Sequence, residues 1–123
     1  MSRSIALTVA AAAGAFLTTS TAFAQLDVAI CAAPSTSSTN CGFTDTQAKL
    51  LASGLFNTVD IINVATSTPT LVQLQAYDAV ICWTNVTPQD YVAWGDALAD
   101  YVDAGGGVVV AVFANSSTTT GRH

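Results

Sequence analysis

Four short apolar runs punctuate the chain, and the polar stretches between them are long enough to hold helices. Leu26 to Cys31 is the first, bounded by Pro34 and a Ser/Thr/Asn cluster that must be loop. Val59, Ile61, Ile62 and Val64 make a second, β-branched run that Thr66-Ser67-Thr68-Pro69 closes. Tyr77 to Trp83 is the third, and Val108 to Ala114 the fourth and most continuous. Each predicts a strand. Thr44-Asp45-Thr46-Gln47 has the spacing of a capping box, and Ala48, Leu51, Leu55 and Phe56 follow at helical spacing, which predicts a helix from near Asp45 to near Asn57. Thr70 to Ala76 reads as a short helical turn. Thr87 before Pro88 predicts the start of a third helix, with the hydroxyl as N-cap and the proline at N1, where its missing N–H costs nothing. Tyr91, Trp94, Leu98, Tyr101 and Val102 then share one face, Asp96, Asp100 and Asp103 step along the other, and Gly105-Gly106-Gly107 ends the helix.

Near-continuous apolar strands belong in a sheet covered on both faces, and each parallel crossover needs a dozen or more residues. The predicted fold is therefore α/β: a parallel sheet of about four strands with flanking helices, doubly wound and flavodoxin-like. The chain ends soon after its most hydrophobic strand, with nothing to cover that new edge, so the expectation is an incomplete domain.

The first 24 residues change the picture. Arg3 supplies a positive start, Ile5 to Leu17 an apolar run, and Ala22-Phe23-Ala24 a small-x-small cleavage site, which together predict a secretory signal peptide cut after Ala24. A transmembrane anchor would need about 20 strongly apolar residues, whereas this stretch is largely Ala and Gly before it breaks into Thr18-Thr19-Ser20-Thr21. The expected location is secreted or periplasmic, with residues 25–123 as the domain and no membrane attachment after cleavage.

Of the 123 residues 51% are hydrophobic and 9% charged, which excludes a disordered chain. Three Lys and Arg face eight Asp and no Glu, so the net charge is −5, the pI is near 4.1, and the basic footprint of a nucleic-acid binder is missing. Export also changes the reading of Cys31, Cys41 and Cys82, because thiols pair in oxidising compartments. Cys31 and Cys41 bracket the loop Ala32 to Asn40, and a disulfide between them is the expected pairing, with Cys82 read as a small buried hydrophobe. The three make no zinc set: no C-x-x-C pair is present, and the one His is the last residue.

The segment Tyr77-Asp78-Ala79-Val80-Ile81-Cys82-Trp83, the helix that follows it, and Tyr101-Val102-Asp103-Ala104-Gly105-Gly106-Gly107-Val108 together resemble the class I glutamine amidotransferase-like superfamily. The likeness is to its exported branch near the trehalose-utilisation-protein-like (ThuA-like) domains, over roughly Asp27 to Ala114. Catalytic members of that superfamily carry a Cys on a strand-to-helix turn after the strand that follows the glycines, with a His and often a Glu farther on. The matching turn here, Val112-Phe113-Ala114-Asn115-Ser116, has no Cys. Ser116 and Ser117 have no His or Lys beside them and read as loop.

Ligands of open α/β sheets sit at the C-terminal ends of the strands. That edge is predicted to carry Pro34 to Thr39, Ser67, Thr84, Asn85, Asn115, Ser116 and Ser117, of which Thr84, Asn85, Asn115 and Ser116 are the candidate ligand-binding residues. Hydroxyls and amides with hardly any charge suit a neutral carbohydrate better than a phosphate. The glycine triplet ends a helix and precedes a strand, the reverse of a phosphate cradle. Asp96, Asp100 and Asp103 lack the loop oxygens that Ca²⁺ prefers and read as a solvated face. Trp83 and Trp94 read as core rather than as a sugar-stacking platform. The expected function is an exported, non-catalytic binding or scaffold module with no cofactor, whose partner is a neutral carbohydrate or another protein domain; the alternative is the front part of a secreted hydrolase or ThuA-like enzyme with catalytic residues beyond His123.

Overall fold

The computed structural model describes residues 24–111. Residues 1–23, on which the expected signal peptide falls, and residues 112–123, with the expected turn Val112 to Ser116 and the candidate ligand residues Asn115 and Ser116, lie outside the described residues. Seven elements follow one another: β1 (Leu26–Ala32), α1 (Cys41–Ala52), β2 (Phe56–Asn63), α2 (Leu71–Leu74), β3 (Ala79–Cys82), α3 (Tyr91–Asp103) and β4 (Gly107–Val110). The strands form one sheet in the order β2-β1-β3-β4, and every pairing is parallel. This is the strand order of a flavodoxin-like α/β fold.

β1 lies inside the sheet, and from Val28 to Ala33 every residue is buried. Successive side chains point to opposite faces, so the run divides in two. Val28, Ile30 and Ala32 meet Phe43 of α1 and Val59 of β2. Ala29, Cys31 and Ala33 meet Leu74 of α2, Trp94, Leu98 and Tyr101 of α3, and Val80 and Cys82 of β3. The chain steps from β1 to β2 in one direction and then through β3 to β4 in the other. Crossovers of one hand therefore place α1 on one face and α2 with α3 on the opposite one.

Helix starts differ from the predicted ones. α1 begins at Cys41, not near Asp45, because the Asn40 side chain accepts from Gly42 N at 2.8 Å and caps it; Thr44 falls inside the first turns. The chain then turns through Gly54 (φ 71°) into β2, which takes Phe56 as a strand residue. α3 begins at Tyr91 with Asp90 as N-cap, accepting from Ala93 N at 2.9 Å. Thr87 and Pro88 lie outside it, because Gln89 N donates to Val64 O at 2.7 Å and holds this stretch against the end of β2. The short α2 carries a complete capping box between Thr70 and Gln73.

The expected end of α3 is observed. Gly105 takes φ 95°, its N–H donates to Val102 O, and Gly106 N–H donates to Tyr101 O, both at 2.9 Å. These are the two bonds of a Schellman motif, and the positive φ is why a glycine stands there.

The expected Cys31–Cys41 disulfide is corrected by the alternation in β1. Cys31 points to the α2/α3 face, whereas Cys41 opens α1 on the opposite face and is exposed. The sheet stands between them, and all three cysteines are free thiols.

Candidate binding edge at the strand C-termini

β1 leads to a neighbour on one side and β3 to a neighbour on the other, so the connections that leave their C-terminal ends diverge. That is the topological switch point where open α/β sheets bind ligands. Three connections build this edge: residues 33–40 after β1, 64–70 after β2 and 83–90 after β3.

Backbone bonds close the floor. Ala33 N donates to Trp83 O, and Ala33 O accepts from Asn85 N and Val86 N, at 2.9, 2.9 and 3.0 Å. Ala33 and Thr84 extend the β1–β3 pairing by one isolated bridge. Thr84 is fully buried, so it belongs to the floor and not to the rim. Asn85 is exposed, and its side-chain Nδ2 reaches Pro34 O at 3.4 Å, which brings it to the loop after β1. Of the predicted ligand residues within the described chain, Asn85 alone presents its side chain at the surface.

The loop after β1 carries exposed Thr36, Ser37, Ser38 and Thr39. Ser37 and Thr39 share a hydroxyl–hydroxyl hydrogen bond of 2.9 Å, and Ser37 N donates to Ser35 Oγ at 3.2 Å, so the loop is ordered by its own side chains. Asn63, which the strand pattern alone did not single out, organises the next connection. It is 5% exposed. Its Oδ1 accepts from Ala65 N, its carbonyl accepts from Thr66 and Ser67, and its Nδ2 points to Ser38 Oγ at 3.4 Å. An Asn at a strand end before a Thr/Ser run is the sequence signal for such a turn.

Residues 33–40, 64–70 and 83–89 contain no charged side chain. The N-termini of α1 and α3 at this edge are both occupied by capping oxygens, from Asn40 and from the Asp90 carboxylate. An incoming anion would meet Asp90 at α3, which removes the usual reason for phosphate to bind at a helix N-terminus. Beside this edge, a groove of about 320 Å³ is lined by Ile62, Ser67, Thr68, Pro69, Gln73 and Tyr77. Ile62, Pro69, Ala76 and the Tyr77 ring make most of its wall apolar, with the hydroxyls of Ser67 and Thr68 and the Gln73 amide between them. Trp94 is core, as expected, while Trp83 is half-buried against Phe43 with ring centroids 6.4 Å apart.

The opposite edge is acidic. Asp27 Oδ1 accepts from Asn57 Nδ2 at 2.9 Å and Thr58 Oγ1 at 2.7 Å, and these hydrogen bonds hold its carboxyl below the usual range. Asp78 Oδ2 accepts from Asp27 N at 2.8 Å, and Tyr77 OH donates to Asp60 at 3.0 Å. Burial, then that bond to Asp60, raises the Tyr77 phenol. Among the described residues no helix is long and apolar enough to cross a membrane, and no group of three His, Cys, Asp or Glu is placed to hold a metal ion.

Comparison of the chain with protein-family models, with curated proteins and with solved structures finds no match.

Proposed function

We propose that residues 25–123 are an exported, non-catalytic α/β module of the amidotransferase-like kind, which binds a neutral polyhydroxy ligand, a carbohydrate or a polyol, at the C-terminal edge of its sheet. The observation that carries this reading is the chemistry of that edge: three converging connections rich in Ser, Thr and Asn, whose one charged side chain, Asp90 at the end of the third, is engaged in capping α3, in a chain whose net charge is −5. Hydroxyls and amides both donate and accept, which matches a sugar hydroxyl, and a handful of such groups orients a ligand. Asn85, Ser37 and Thr39 supply the polar contacts, with Thr68 at the mouth of the neighbouring groove. Export follows from the signal-like first 24 residues. The non-catalytic reading rests on the absence of Glu, on a single His at the chain end, and on the burial of Cys31 and Cys82.

Amide chemical-shift mapping with neutral mono- and disaccharides at millimolar concentration tests the proposal. Saturable shifts centred on residues 34–39 and 85, abolished by Asn85→Ala with the rest of the spectrum unchanged, are the expected result. Shifts confined to the acidic edge, or none with any sugar in the panel, would overturn it.

A further inference from the structure

Cys31 and Cys82 are neighbours in space, although about fifty residues separate them in the chain. β1 and β3 pair in parallel with Val28 opposite Ala79, Ala29 opposite Val80 and Ile30 opposite Ile81, and the isolated bridge between Ala33 and Thr84 keeps the same offset. Cys31 therefore stands beside Cys82, on the α2/α3 face that both share. The Cys82 thiol donates a hydrogen bond to the Cys31 sulfur, and Trp94 Nε1 donates to the same sulfur at 3.2 Å. Both thiols are buried beneath α3, and the third cysteine is exposed on the far face.

We propose that Cys31 and Cys82 are a redox pair that closes into a disulfide across β1 and β3 when the chain folds in the presence of a disulfide oxidant. Adjacent strands lie about 4.8 Å apart, inside the window of about 4.4–6.8 Å between Cα atoms that a disulfide spans. One protein thiolate attacks a sulfur of the oxidant R–S–S–R, forming a mixed disulfide and expelling RS⁻. The second protein thiol gives up its proton and attacks the mixed disulfide, forming the protein S–S bond and expelling the second RS⁻. Two electrons pass from the protein to the oxidant, and the two protons end on the two RSH. The Cys82 thiol in the closed fold is held protonated by its bond to Cys31 and by burial, so exchange proceeds before α3 covers the sheet or during its opening. Cys41 remains the single reactive thiol. The inference rests on strand register and stands apart from the reading of the binding edge.

The test is refolding of the full chain and of Cys41→Ser in a glutathione redox buffer, followed by alkylation under denaturing conditions without reductant and intact mass measurement. One alkylated thiol in the parent, and none in Cys41→Ser with a mass two hydrogens below the reduced chain, are expected. Cys41→Ser changes an exposed residue and leaves the pair intact, so its result does not depend on the folding of Cys31→Ser or Cys82→Ser. Two alkylated thiols in Cys41→Ser, or a parent disulfide that includes Cys41, would overturn the assignment. The thermal midpoint of oxidised Cys41→Ser should exceed that of its reduced form by about 10 °C or more, the scale for closing a loop of this length in a small domain. An equal or lower oxidised midpoint would show a bond that the native sheet does not accommodate, and would overturn the proposal as well.

Discussion

Adding one methyl group at Gly106 should cost this domain a large part of its stability. A Cβ at that position would fall onto the Tyr101 ring, with Cζ, Cε1 and Cε2 all nearer than real Cβ contacts come. The ring has no easy way out. Tyr101 is 2% exposed, and its hydroxyl donates to Tyr77 O at 2.7 Å. The backbone opposite is pinned too, since Gly106 N donates to Tyr101 O to close the helix. The positive φ values belong to Gly54 and Gly105, so the penalty at Gly106 is steric rather than conformational.

Overpacking of this kind costs about 1–3 kcal/mol, and displacement of the ring from Tyr77 O adds about 1 kcal/mol for the lost hydrogen bond. Gly106→Ala should thus destabilise by about 2–4 kcal/mol, against about 1 kcal/mol for Tyr101→Phe, which removes the hydroxyl alone. Tyr101→Ala opens a cavity and should cost about 3–5 kcal/mol, but in that background a methyl at position 106 has room. The double variant should therefore be no less stable than Tyr101→Ala, a coupling of about 2 kcal/mol or more. Urea unfolding followed by the fluorescence of Trp83 and Trp94 measures all four corners of the cycle. A Gly106→Ala cost within about 0.5 kcal/mol of zero, or costs that simply add in the double variant, would refute the reasoning.

The capping assignments give a second contrast: Asn40→Ala should destabilise by about 1 kcal/mol and Thr44→Ala by less than about 0.5 kcal/mol, with the same order for Asp90→Ala against Thr87→Ala, read by urea midpoints. In the reduced chain Cys82, Tyr77 and Tyr101 all have pKa values raised in the fold, Cys82 first by its hydrogen bond to Cys31 and the tyrosines first by burial. Their contribution is complete below the unfolded values of 9.0 and 10.0 and is lost as pH rises through the folded ones, so thermal midpoints should fall at alkaline pH and fall less in Tyr77→Phe. Asp27 has the opposite sign: its lowered pKa, due first to Thr58 and then Asn57, gives stability that is present above 3.8 and lost as pH falls further, and Asp27→Asn should remove that acid limb.

The four strands were legible because short β-branched apolar runs between helix-length segments suit a parallel sheet, although the edge strand β4 leaves Val109 and Val110 exposed, and the glycine turn was legible because a left-handed helix end favours glycine. Helix starts were less so, since a cap competes with tertiary bonds that the local pattern does not contain. Thr87-Pro88 is a good local start, yet Gln89 N bonds to Val64 O and the helix waits for Asp90. The cysteine pairing failed for a related reason. Short sequence separation favoured Cys31 with Cys41, but one residue of strand alternation sends Cys31 to the face opposite α1. Its true neighbour depends on the offset between β1 and β3, which is a property of the pairing and not of either segment. Thr84 likewise sits on the predicted edge, but its place as a bridge to Ala33 buries it.

The two ends of the sheet divide the work, and this makes stability and binding separable. At the acidic end carboxylates and backbone knit all four strands: Asp27 ties β1 to Asn57 and Thr58 of β2, Asp78 Oδ2 accepts from Asp27 N, and Asp78 O accepts from Gly107 N of β4 at 3.3 Å. At the opposite end the connections are joined mainly through backbone groups, from Ala33 to Trp83, Asn85 and Val86 and from Val64 to Gln89. The strands are thus held where the charge is, and the hydroxyls of Thr36 to Thr39 and the amide of Asn85 stand on a floor that does not need them. A substitution such as Asp27→Ala should then shift the unfolding midpoint while leaving sugar-induced amide shifts at residues 34–39 intact, and Asn85→Ala should do the reverse. A binding defect in Asp27→Ala at temperatures where it is fully folded would mean that the two ends are coupled through β1, and that the rim is not the independent surface its backbone floor implies.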